Sequence, residues 1–151
     1  MKPVSLPKLL ASLSMMILGV CHTPATSLAA VPIDPAVQQM ITGLANRFTR
    51  ARQAGGMVGV SADIQSCYQT ATLPRQVRDC LVLDAVARRV DMETSRTLPG
   101  AGLPYFSEQA VTQRWPHYNR AANFQNLQQQ LSYMRNGSDA VILEIAKKRP
   151  R

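Results

Sequence analysis

Residues 67–80 read Cys-Tyr-Gln-Thr-Ala-Thr-Leu-Pro-Arg-Gln-Val-Arg-Asp-Cys. The two cysteines stand at equal distances from one corner: Cys67 is seven residues before Pro74, and Cys80 is seven after Leu73. If Leu73-Pro74 turns the chain between two antiparallel helices, both sulfurs arrive at one level of the hairpin. The apolar spacing agrees. Upstream, Ile64, Cys67, Tyr68 and Ala71 share one side of a helix, which Ser61 can cap. Downstream, Pro74 opens a helix to about Glu93, with Val77, Cys80, Leu83, Ala87 and Val90 on one stripe. Both cysteines fall on predicted inward faces, so a disulfide Cys67–Cys80 is expected. Such a staple belongs to an oxidising compartment.

The helix after Pro74 is also apolar at Leu81, Val82, Val86 and Met92, off its main stripe. A helix apolar on several sides is surrounded by others, which puts it at the centre of a bundle. Before it, Asp34 as N-cap and Pro35 at the first position open another helix. Val37, Met40, Ile41, Leu44, Ala45, Phe48 and Ala51 form its apolar stripe, and Gly55-Gly56 stops it. After the centre, residues 97–104 form a Pro/Gly loop. Ser107 caps a short fourth helix, with Phe106 and Val111 as a hydrophobic staple, and Pro116 breaks the chain. A fifth helix turns Tyr118, Ala121, Phe124, Leu127, Leu131 and Met134 inward and ends at Asn136-Gly137. Ser138 caps a last helix, Asp139 to Lys148. The run 140–143 within it has strand propensity but no partner strand. The fold class is all-α: a small single-domain bundle of five to six helices.

The N-terminus has the pattern of a secretory signal. Lys2 and Lys8 precede a mostly apolar stretch from Leu9 to Val20, and small residues run from Thr23 to Ala30. The apolar stretch falls short of the roughly 20 residues that span a bilayer. Cleavage after Ala29 is expected, so 1–29 is a cleavable signal and 30–151 one helical domain with a basic tail at 147–151. The destination is periplasmic or secreted. Loss of Lys2 and Lys8 lowers the formal net charge from +8 to +6, and Lys147 and Lys148 are then the only cations that are not arginine.

The catalytic inventory is thin. His117 is the sole histidine beyond the signal, and with both cysteines paired no zinc set remains. The chain has no phosphate loop, serine elbow or haem-attachment pair, so neither cofactor nor metal is expected. Asp84 and Asp91 lie seven residues apart toward the buried side of the central helix. A buried carboxylate is costly unless paired. Arginines of neighbouring helices, or Arg88, four residues after Asp84 and three before Asp91, are the expected partners in a structural ion pair. The catalytic alternative is a hydrolase using Asp84 or Asp91 with His117.

The cations suggest a binding surface. Arg78, Arg89 and Arg96 lie within about 20° of one another on an ideal helix, with Arg75 close by. Trp115 and His117 follow the Pro/Gly loop, and Lys147, Lys148 and Arg149 end the chain. Such a surface attracts acidic proteins or anionic lipid heads. Nucleic acid is not expected, because no aromatic-basic motif of a binding module is present. The leading expectation is a small exported, non-catalytic helical protein that binds another protein or an envelope component. Peripheral binding of an anionic membrane surface through the basic tail is the second. No motif is specific enough to name a family.

Overall fold

A computed structural model describes residues 34–148. The expected signal, its cleavage site and Arg149 lie outside the described residues. Four α-helices follow in order: α1 Pro35–Thr70, α2 Pro74–Thr97, α3 Glu108–His117 and α4 Leu127–Lys147. One 3-10 turn, Pro104–Phe106, precedes α3. The described residues contain no strand, and 140–143 are helical.

The first helix begins as its sequence dictates. The Asp34 carboxylate accepts from the Ala36 amide at 2.8 Å, and Pro35 takes the first position. The helix is broken at Gly55 and Gly56, whose backbones are non-helical; Gly56 has φ +60°. Arg47 and Asp63 form an ion pair at 2.7 Å across this break. On a straight helix, residues sixteen apart are separated by about 24 Å. The chain therefore doubles back, and α1 is two limbs, 35–54 and 57–70. The limbs touch backbone to backbone: a Cβ on Gly59 would stand 2.8 Å from the Ala51 carbonyl oxygen.

Two expectations about helix ends need correction; with the two limbs counted as one helix and 127–147 as another, the five to six expected helices become four. Ser61 does not start a helix. The second limb begins directly after the glycines, and the Ser61 hydroxyl donates to the Val58 carbonyl within it. Asn136-Gly137 does not end one. It lies inside α4, where a Cβ on Gly137 would come within 2.7 Å of Val82 Cγ2. That glycine lets α4 press against α2. Residues 118–126, expected to be helical, are turns, with Asn123 at φ +55°. The helix begins only at Leu127, where Asn126 caps it by accepting from the Gln129 amide at 2.8 Å.

The central position of α2 follows from its burial: every residue from Cys80 to Ala87 is buried. One side packs with Ile41, Leu44 and Phe48 of the first limb, Val60 and Ile64 of the second, and Val141 of α4. On another side Val77, Leu81 and Ala85 meet Ala122 and Met134. Cys67 and Cys80 are at disulfide distance, with S–S 2.03 Å and Cα atoms 5.7 Å apart. The Leu73-Pro74 corner holds itself, since Gln76 Oε1 accepts from the amides of Thr72 and Leu73 at 2.9 and 3.0 Å. No described helix is long and apolar enough to cross a membrane.

Candidate functional site

Asp84 lies at the middle of α2 and is completely buried. Four donors meet its carboxylate. Arg114 of α3 binds it with both arms of the guanidinium, Nε to Oδ2 and Nη2 to Oδ1, each at 2.9 Å. Trp115 Nε1 donates at 3.0 Å and the Tyr68 hydroxyl at 3.1 Å, both to Oδ2. Arg114 also donates to the Tyr105 carbonyl at 3.1 Å, and its guanidinium lies 3.9 Å from the centre of the Tyr105 ring. Tyr68 in turn stacks on Tyr118, ring centres 3.9 Å apart. A single carboxylate thus ties the second limb of α1 and the short α3 to α2.

Burial, reinforced by the negative charge of Asp84, pushes the Tyr68 phenol well above its ordinary range, so it stays a donor. Tyr105 is pushed up to about 12, first by burial and then by the same charge. Burial alone would lower the Arg114 pKa, but the hydrogen bonding and charge of Asp84 outweigh it and raise it. The network keeps its cation charged and its phenols protonated. Its geometry is that of a paired buried ion with its acceptors occupied, the arrangement that makes buried charge tolerable.

Arg88 is not the partner of Asp84. Spacing of four favours pairing on a solvated helix face, whereas Asp84 points into the core and meets Arg114, thirty residues away. Arg88 instead places its guanidinium 5.4 Å from the centre of the Trp115 ring. Asp91 has no ion pair among the described residues. Its carboxylate accepts from the Leu103 amide at 3.2 and 3.3 Å and fastens the loop after α2. His117 packs edge-on to Tyr118 and forms no hydrogen bond to Asp84 or Asp91 among the described residues.

The expected arginine stripe divides. Arg78 is a structural anchor: it donates to the carbonyls of Ala122 and Asn123 at 2.8 and 3.2 Å and lies over the Phe124 ring. Arg89 pairs with Asp139 of α4 and Arg96 with Glu93. Arg75 is exposed. Lys147 and Lys148 both reach Glu144 at 3.5 Å, and Lys148 also donates to Asn46.

The structure adds a site that the sequence reading did not assemble. A groove of about 390 Å³ runs between α2, α3 and α4. Met92, Trp115, Leu131 and Met134 form its apolar lining, and Arg88 and Arg135 stand over it. Arg88 and Met92 are one turn apart on α2; Leu131 and Arg135 are one turn apart on α4. Two cation-and-apolar pairs at spacing four were the available signal, but only the fold shows that they face one cleft. No protein-family model, curated protein or solved structure matches the chain.

Proposed function

We propose that this chain is a small exported helical protein that binds another protein or an envelope component and turns over no substrate. One observation carries the reading. Both carboxylates of the Asp84/Asp91 candidate are engaged by the protein's own donors, while the open groove presents Arg88 and Arg135 without ion partners among the described residues. The leader pattern and the Cys67–Cys80 pair support export. The basic tail is the weaker surface, since Glu144 holds both of its described lysines.

Two measurements test this. A photo-crosslinking residue placed singly at exposed positions on each helix should trap a discrete protein or envelope adduct in intact cells; no adduct from any position rejects an interaction role. Asp84→Asn should lower unfolding free energy by about 3–5 kcal/mol in urea melts, because it leaves Arg114 buried without its counter-charge. A variant that stays as stable as the parent would show that Asp84 serves something other than the fold and would reopen the hydrolase reading.

A further inference from the structure

We infer that the groove between α2, α3 and α4 docks an acidic, amphipathic peptide segment of a partner protein. This deepens the interaction reading above and rests on it. Charge is the first argument. Arg89, at the same groove, is neutralised by Asp139, but Arg88 and Arg135 have no carboxylate partner among the described residues. Arg88 Nε is buried and lacks any hydrogen-bond acceptor. An unpaired guanidinium is a planar fork whose best complement is a carboxylate. The Trp115 ring beneath it holds that fork in place, and Trp115 is itself fixed through Nε1 to Asp84. The donor is therefore preorganised before any ligand arrives, which lowers the ordering cost of binding.

The lining is the second argument. Met92 is 40% exposed and Leu131 38%, one on each flanking helix, and buried Met134 adds to the lining. Methionines accommodate varied apolar side chains. A free inorganic anion would leave this apolar surface wet. A flat lipid surface fits a concave cleft poorly, and here the cations stand on opposite helices across it. A peptide carrying acidic residues within a turn of a large apolar one satisfies the cations and the floor together.

The test is selection of a random-peptide display library on the immobilised mature protein, followed by fluorescence anisotropy with the selected peptides. Selected peptides should carry Asp or Glu beside Leu, Met or Phe. Their affinity should fall about tenfold or more in Arg88→Glu and in Arg135→Glu, and should hold in Arg50→Glu on the far limb. Arg135 is exposed, so its reversal tests the groove even if Arg88→Glu folds poorly. Peptides without acidic residues, peptides indifferent to both reversals, or no selected peptide at all would each overturn the proposal. So would binding of phosphatidylglycerol vesicles that is lost in these variants while no peptide is selected. A cellular crosslink through another face, with such a failure, would sink the groove and leave the interaction reading standing. Absence of any crosslink would sink both.

Discussion

At the scale of single residues, the chain treats two aspartates of its central helix in opposite ways. Asp84 is fully compensated; Asp79 is not. Burial pushes the Asp79 carboxyl above its ordinary value of 3.8, and attraction by Arg75 and Arg47 only partly offsets this. Its Oδ1 is buried without a hydrogen-bond partner. A raised folded-state value means that the ionised form is held less well in the fold than in the unfolded chain. The fold is thus favoured while Asp79 is protonated, and that advantage is lost as pH rises through the folded value. Asp79→Asn should accordingly raise Tm at pH 7, and the gap should close as pH falls below 3.8, where both side chains are neutral. Calorimetric melts across this range check it; an equal or lower Tm at pH 7 would show that the Arg75 and Arg47 attractions dominate. Residues of this kind differ in how far one sequence reveals them. The Cys67–Cys80 pair could be read because its partners flank one short turn and each obeys the local helical period. The Asp84–Arg114 pair could not, because the two helices meet only after the loop at 98–107 has folded back. Asp91 fastens that return by accepting from the Leu103 amide, a side chain to backbone contact that no local period signals.

At the scale of elements, two glycine signals look alike and act differently. Gly55-Gly56 and Asn136-Gly137 both resemble helix stops. Gly56 takes a positive φ and the chain reverses there. Gly137 stays helical and receives Val82 from α2. A glycine-to-alanine change inside a helix ordinarily gains about 1 kcal/mol. At Gly137 the new methyl would overlap a buried valine, and overpacking costs about 1–3 kcal/mol. Gly137→Ala should therefore lower stability by roughly 1 kcal/mol net in urea melts, and the double variant with Val82→Ala should lose less than the sum of the two single losses, because the overlap is gone. Unchanged stability would mean that α4 can shift away from α2 freely. The same logic explains the false helix at 118–126. Tyr118, Ala121 and Phe124 do sit at helical spacing, but the ladder stops after one turn: the Phe124 amide reaches back five residues to the Asn119 carbonyl, and the carbonyls of Ala122 and Asn123 accept from Arg78 of α2. The inward face expected for that helix fails with it: Met134 is buried and Tyr118 and Phe124 are half-buried, but Ala121, Leu127 and Leu131 are exposed, because the spacing assumed one continuous helix from residue 118.

At the scale of the whole molecule, the Cys67–Cys80 staple closes a loop of about 14 residues and stabilises the fold by roughly 3 kcal/mol in the chain-entropy picture. A domain of this size is held by only about 5–15 kcal/mol. Replacing both cysteines by alanine should therefore remove about 3 kcal/mol in urea titrations, and intact mass of the parent should rise by two hydrogens on reduction. A parent that already carries two free thiols would contradict the staple. The all-helical architecture and the central place of α2 were readable from the breadth of its apolar surface. The groove was not, because it belongs to three helices at once. The buried carboxylate also bears on how the molecule comes apart. Ten residues at the end of a long loop would ordinarily detach and reattach on their own. Detaching α3 would strip Arg114 and Trp115 from Asp84 and leave a charge in the core with one phenol for company. Local opening of that helix is thereby coupled to opening of the bundle, so the shortest α-helix shares the cooperativity of the longest.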